Sequence, residues 1–286
     1  MSNLKKVILI TGASTGIGKA GALELGRRGW KVFVHARSAA RGNPVLDELK
    51  QSAPEADFTL VTGDLASLAE VKALADQVKA QTETLDVLWN NAGLMLDDRK
   101  VSADGLELTM VVNHLAPFVL TRELLPLVER VHGRIITTTS GAYMFGRFNW
   151  EDWMDENRPY NSFRMYSKSK LANILFTQEL ARHTASKGIT AHCYHPGLVS
   201  SDFGKQRGEE TQKFNVPNWL RPLIMIDNAA GADTGVFLAE DPLAQNSNGK
   251  FWIKRKVRKT NRFVNESNSA RLWERSERAT RWYFKG

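Results

Sequence analysis

The sequence predicts an α/β fold, a single domain doubly wound about a central parallel sheet, and three observations carry that prediction. Short apolar runs rich in Val, Ile and Leu alternate with helical patterns along most of the chain. The runs are apolar on both faces, as strands covered by helices above and below must be. Each run stops at glycine or a polar residue, on the edge where ligands of open α/β sheets bind. A chain of 286 residues can bury one full core. No repeat, low-complexity tract or linker divides it, so residues 1–286 read as one domain.

The first strand, Val7-Ile8-Leu9-Ile10, runs into Thr11-Gly12-Ala13-Ser14-Thr15-Gly16-Ile17-Gly18, and a helical pattern follows to Gly29. A strand, a glycine-rich turn and a helix N-terminus form an anion site, because backbone N–H groups and the helix dipole face the ligand. Gly12 would allow the tight turn, Gly16 the approach of a pyrophosphate, and Gly18 the packing of helix on strand. The spacing is Gly-x-x-x-Gly-x-Gly, not the commoner Gly-x-Gly-x-x-Gly. The second strand, Lys31 to Arg37, ends without a carboxylate. An acid there would grip a ribose 2′-hydroxyl, whereas Arg37, with Arg41 behind it, accommodates a 2′-phosphate and favours NADP over NAD.

A helix over 43–52 then leads to the strand Phe58 to Val61, ending at Gly63-Asp64-Leu65. Another, over about 67–81, leads to Leu85 to Trp89, ending at Asn90-Asn91-Ala92-Gly93. The segment from Leu106 toward Val128 reads as one long helix. Pro117 removes a backbone donor in its middle, so the turn near Asn113 should be disturbed and leave backbone groups able to hold water.

The central strand, Arg134 to Thr139, stops at Ser140-Gly141. Past the aromatic-rich stretch 142–165, Tyr166-Ser167-Lys168-Ser169-Lys170 opens a helix that reaches a glycine cap at Lys187-Gly188. A tyrosine and a lysine four apart share one helix face. The cation should pull the phenol below its ordinary value of ~10 and make it an acid/base nearer working pH. Ser140 would donate to the oxygen that Tyr166 protonates. Alone, such a pair is more often a snorkelling surface pair; its setting changes the weight.

A strand through Ile189 to Tyr194 ends at His195-Pro196-Gly197. Residues 200–227 read as a substrate lid, broken by Gly204, Gly208, Pro217 and Pro222, with Phe214, Trp219 and Leu220 as its apolar face. A helix over 228–239 and a strand from Lys250 to Ile253 close the pattern.

Composition excludes fibrous and disordered classes, with 42% hydrophobic and 24% charged residues. The single cysteine, Cys193, lies in an apolar run, reads as a small buried hydrophobe, and points to a reducing compartment such as the cytoplasm. The N-terminal apolar run is too short for a signal peptide or a membrane span, and no other stretch reads as long enough. Residues 1–249 carry 27 basic and 28 acidic side chains, while 250–286 carries a net +9. The basicity therefore belongs to a C-terminal segment.

Taken in order, Thr11-Gly12-x-x-x-Gly16-Ile17-Gly18, Asp64-Leu65, Asn90-Asn91-Ala92-Gly93, Asn113, Ser140, Tyr166-x-x-Ser169-Lys170 and Pro196-Gly197 resemble the short-chain dehydrogenases/reductases over essentially the whole chain. Val112-Asn113-His114-Leu115-Ala116-Pro117-Phe118, His195-Pro196-Gly197 and Leu272-Trp273-Glu274-x-Ser276-Glu277 look most like its retinol dehydrogenase and WW-domain oxidoreductase group. The resemblance implies a Rossmann-type domain that binds a nicotinamide cofactor and interconverts an alcohol and a carbonyl. Tyr166 would be the general acid/base, with Lys170 tuning it and holding the ribose and Ser140 orienting the substrate oxygen. Asn113 would hold a relay water through its disturbed turn. Gly12, Ser14, Gly16, Ile17 and Gly18 would take the pyrophosphate, and Asp64 with Leu65 the adenine. Asn91, with Ala92 and Gly93, would lie on the adenosine ribose side, Pro196, Gly197 and Val199 at the nicotinamide, and Ser201 where the family often has threonine. Two departures, the lack of an N-terminal membrane anchor and of apolar membrane-seeking pieces, argue against a retinoid.

A second reading is a cofactor-sensing or scaffold protein of the same fold, but such proteins usually lose the tyrosine, lysine or serine, and all three stand here. A third takes the basic segment, interleaved with Phe251, Trp252 and Phe263, as a contact for an anionic membrane surface or a single strand. A solvated strand and loop is the more frequent explanation, so the expected partner is a bulky apolar small molecule and no nucleic acid.

Overall fold

The computed structural model describes residues 5–198 and 226–281. Among the described residues, eight strands form one sheet in the order β3-β2-β1-β4-β5-β6-β7-β8. They are β1 (Val7–Ile10), β2 (Lys31–Ala36), β3 (Asp57–Thr62), β4 (Val87–Asn90), β5 (Arg134–Thr138), β6 (Thr190–His195), β7 (Lys250–Ile253) and β8 (Lys256–Arg258). All pairings are parallel except β7 with β8. The chain order reverses between β1 and β4, and the crevice at such a point is where doubly wound sheets bind ligands.

The helices are α1 (Gly16–Arg27), α2 (Ala39–Ser52), α3 (Leu68–Lys79), α4 (Leu108–Glu129), α5 (Ser162–Thr184), α6 (Asn228–Glu240), α7 (Pro242–Gln245) and α8 (Glu266–Thr280). Alternation along the strands builds two cores. Leu9, Leu88, Ile135, Cys193 and Phe251 face α3, α4, α5 and α8. Ile8, Trp89, Ile136, Tyr194 and Trp252 face α1, α2 and α6. Trp89 is wedged between glycines of two helices; a Cβ on Gly21 would lie 2.6 Å from its ring, and one on Gly235 would also clash. Only glycine lets both helices approach that closely.

Four elements differ from the sequence expectation. Helix α2 starts at Ala39 rather than 43, after Ser38 in extended geometry. Pro44 imitates a first-turn proline but lies inside the helix. Helix α5 starts one turn before Tyr166, where the Asn161 side chain accepts from Arg164 N–H. Strand β8 was missed because its hairpin turn is Lys254-Arg255, both at positive φ, without the Asn-Gly or Asp-Gly signal. Helix α8 was also missed. It lays Leu272 and Trp273 on the α4–α5 face, Trp273 packing edge-on to Phe118 at 5.0 Å and stacking on His183 at 4.3 Å.

Helix α4 corrects a further expectation, since by length and composition it is apolar enough to cross a membrane. In this fold 78% of its apolar window is buried, as in the core helix of a globular domain. Its turn Val111–Leu115 is a π-helical bulge, as the proline implied. Pro117 has no N–H to offer the Asn113 carbonyl, and the ladder shifts by one residue, with Ala116 N–H bonding Val111 C=O.

Candidate active site

The site lies on the carboxyl edge of the sheet, where Thr11–Gly18 follows β1, Asn91–Gly93 follows β4, Ser140 follows β5 and Pro196-Gly197 follows β6. Thr11 and Asn91 tie the first two loops together. The Thr11 hydroxyl accepts from Asn91 N–H at 2.9 Å and Ala92 N–H at 3.0 Å, while Asn91 Nδ2 donates to Thr11 C=O at 3.0 Å. Asn91 Oδ1 accepts from Thr138 at 3.3 Å. Its side chain is thus engaged with protein, tying the end of β4 to the ends of β1 and β5.

Gly12 has φ +65°, and a Cβ there would stand 2.9 Å from Ala92 Cα. A Cβ on Gly18 would meet Gly12 O and Asn91 Nδ2 at 2.6 Å, so Gly18 packs the helix onto the turn more than onto a strand. Thr15 is the N-cap of α1 but makes no side-chain cap bond, and no acid lies in the first turn. The uncapped N–H groups, with Ser14, Gly16 and Ile17 part-exposed beside them, suit a pyrophosphate. Arg37, half-buried, directly follows β2. Asp64 and Leu65 follow β3, with Asp64 Oδ1 accepting from Ala66 N–H at 2.9 Å.

Tyr166 and Lys170 point inward from α5 and are 9% and 2% exposed. The Ser140 hydroxyl lies close enough to the phenol to favour its ionised form, and it accepts from Ala142 N–H at 3.2 Å. Lys170 Nζ lies 5.5 Å from the Tyr166 ring centroid and donates to Thr138 C=O at 3.4 Å. Gly93 leaves room beside it, for a Cβ there would come within 3.1 Å of Lys170 Nζ and 3.3 Å of Asn113 Oδ1. Asn113 is fully buried. Its amide takes Leu94 N–H at 2.7 Å and gives to Leu94 C=O at 2.8 Å and Ser169 Oγ at 2.9 Å. The side chain of Asn113 is thus fully used, while Pro117 deprives its backbone carbonyl of the i+4 donor and the shift of Ala116 N–H to Val111 does the same for Val112.

The electrostatics correct one sequence expectation. The phenol of Tyr166 is pushed up to about 12, because burial outweighs the opposing influence of the nearby Ser140 hydroxyl. Burial also pulls Lys170 down to about 8. The lysine therefore does not draw the tyrosine below its ordinary value in the protein alone; loss of hydration dominates both groups.

Of the remaining expected residues, Pro196 and Gly197 stand at the end of β6, while Val199, Ser201 and nearly all of the lid 200–227 lie outside the described residues. Sequence reasoning missed Asp155. It is 1% exposed, in left-handed backbone at φ 53° in the loop before α5, and it takes the fully buried Lys168, Arg164 at 2.8 Å and Arg158 at 3.2 Å. Charges at 155, 158, 164 and 168 were the available signal, but only the fold closes them on one carboxylate. A groove of about 400 Å³ between α1 and α6 is separate from this edge, and much of its charged lining is paired, Arg28 with Glu24 and Glu240 and Arg255 with Asp233.

A glycine-rich turn at the sheet's switch point, with a serine, tyrosine and lysine gathered beside it, defines a nicotinamide-type oxidoreductase site. A family model described as short chain dehydrogenase matches residues 6–212, and the chain belongs to that family. It is 35% identical to retinol dehydrogenase 14 of Mus musculus, covering 95% of this chain and 85% of that protein. It is 33% identical to dehydrogenase/reductase SDR family member 13 of Homo sapiens, covering 97% and 74%. Among solved structures, an uncharacterized protein from Mycobacterium paratuberculosis superposes with TM-score 0.77 at 29% identity, covering 98% of this chain and 96% of that one. The angucycline C-6 ketoreductase LanV with bound NADP gives 0.67 at 28%, covering 87% and 94%. The chain is thus an oxidoreductase-family protein of retinol dehydrogenase-like sequence.

Proposed function

We propose that the protein is an NADP(H)-dependent oxidoreductase that interconverts an alcohol and a carbonyl on a bulky apolar substrate. The observation that carries this reading is the gathering of Ser140 and the buried Tyr166 and Lys170 at the carboxyl edge of the sheet, with Lys170 Nζ 5.5 Å from the Tyr166 ring centroid, one helical turn further in. When bound, the cofactor supplies or accepts the hydride at the carbonyl carbon. The protein's own task is then proton transfer and orientation at the oxygen. Burial keeps the Tyr166 phenol protonated at neutral pH, so it stands loaded to give its proton to a carbonyl oxygen while Ser140 donates a hydrogen bond to the same atom. Lys170 is positioned to hold the ribose hydroxyls, and the Asn113 carbonyl to hold a water that returns the proton from solvent.

NADP is preferred here because Arg37 directly follows β2 with no carboxylate from His35 to Ala40, and the LanV neighbour carries NADP. The apolar substrate class is supported by Met144 and Phe145, 57% and 67% exposed just after Ser140, and by Leu198, 57% exposed just after Pro196-Gly197. The single-cysteine composition favours the cytoplasm. Following NADPH oxidation with ketones, quinones, aldehydes and hydroxysteroids tests the reading. Turnover of an apolar carbonyl that disappears in Tyr166→Phe is the expected result. NADPH binding without turnover of any of these classes would favour the cofactor-sensing alternative.

A further inference from the structure

Two buried or half-buried histidines at strand ends are left unused by this chemistry. His35 is 3% exposed near the end of β2. Its Nδ1 accepts from Gly12 N–H at 3.0 Å, and its Nε2 pairs with Gly63 C=O at 2.9 Å. An N–H can only donate and a carbonyl only accept, so the ring is held neutral with its proton on Nε2. The same residue's carbonyl accepts Ala13 N–H at 2.9 Å. One residue therefore fastens the glycine-rich turn to β2 and to the Gly63-Asp64-Leu65 segment. Beyond β1, β4 and β5, His195 ends β6 in a matching way. Its Nδ1 accepts Gly141 N–H at 3.1 Å and, more weakly, Gly197 N–H at 3.4 Å. The loop carrying Ser140 and the Pro196-Gly197 turn are held by one lone pair.

We infer that His35 and His195 are positioning residues for the two ends of the cofactor, each a neutral imidazole whose Nδ1 lone pair fixes a backbone N–H of a binding turn. His35 sets the pyrophosphate and adenine end, and His195 the nicotinamide end. The inference rests on the nicotinamide-cofactor reading above. The geometry explains why an imidazole serves at position 35, since donor and acceptor leave one flat ring in opposite directions and reach two loops at once. Burial pushes both rings below the ordinary histidine value, which keeps the lone pairs available at neutral pH.

The test titrates NADPH and adenosine 2′,5′-bisphosphate into the full chain and its variants. His35→Leu should weaken both ligands by roughly ten- to a hundredfold, the cost of leaving buried backbone groups without partners. His35→Asn, whose Oδ1 occupies the place of Nδ1, should recover most of the loss. His195→Leu should weaken NADPH about tenfold and leave the bisphosphate unchanged. Unchanged affinities, a His35→Asn variant as weak as His35→Leu, or both histidines moving both ligands equally would overturn the assignment. If the leucine variants do not fold, ¹⁵N spectra of the wild-type imidazoles decide, because a proton on Nδ1 of either ring sinks it. A wild type that binds neither NADPH nor NADH removes the cofactor reading itself.

Discussion

The Lys170 ammonium lies 5.5 Å from the centroid of the Tyr166 ring, one helical turn along α5, and both groups are cut off from water. Shared burial, more than their mutual interaction, sets their protonation. It favours the uncharged phenol, pushed up to about 12, and the uncharged amine, drawn down to about 8.

Tyr166→Phe removes only the transferable proton. Turnover should fall by ~10²–10⁴, as for loss of a placed acid/base, with the NADPH dissociation constant nearly unchanged. Steady-state assays and a fluorescence titration measure the two quantities separately. Wild-type turnover in the variant would show that the proton comes from elsewhere.

Lys170→Met should weaken the cofactor and change the pH dependence of stability. The folded value of about 8 lies below the ordinary ~10.4, so between these the unfolded chain holds more protons and stability rises with pH. Below pH 8 the wild type carries the full burial cost, at most roughly 3 kcal/mol. Without cofactor the Met variant should therefore melt higher than wild type near pH 7, with the gap closing by pH 10. Cys193 and the buried tyrosines titrate in both proteins and cancel. A gap independent of pH would refute the assignment.

Arg37→Asp should reverse cofactor preference. An Arg–phosphate pair at a half-exposed site is worth on the order of 1.5–3 kcal/mol, so wild type should bind NADPH roughly ten- to a hundredfold more tightly than NADH. The aspartate removes the donor and adds repulsion. Equal affinities of the wild type for the two cofactors would withdraw the NADP assignment.

Asp155→Asn breaks the buried pair with Lys168 and leaves that ammonium without a counter-charge. A loss of about 3–5 kcal/mol is expected from chemical denaturation at pH 7. Burial raises the Asp155 carboxyl, but the hydrogen bonds from Lys168 and Arg164 outweigh it and hold it below the usual range. The pair's stabilisation is thus present above the ordinary value of ~3.9 and lost as pH falls through the lower folded value. Because Lys168 lies two residues from Tyr166, the variant should raise KM for substrate more than it lowers kcat. Unaltered stability would mean that the Asp155 carboxylate adds nothing net to the fold.

Much of this protein is written locally. β-Branched runs that end in glycine or asparagine gave the parallel strands and their binding edge, because strand propensity and turn chemistry act within a few residues. The i, i+4 spacing put Tyr166 and Lys170 on one face, and Pro117 marked the bulge at Asn113. Tertiary structure decided what depends on distant neighbours. Burial under the strand ends moved the phenol and the amine, opposite to what their separation in sequence implied for the tyrosine. The Asn113 side chain was claimed by Leu94 and Ser169, and Asp155 was surrounded by three cations. His35 met Gly12 and Gly63 only because β1, β2 and β3 lie side by side. Desolvation and long-range hydrogen bonds are properties of packing, and no local period in the sequence encodes them.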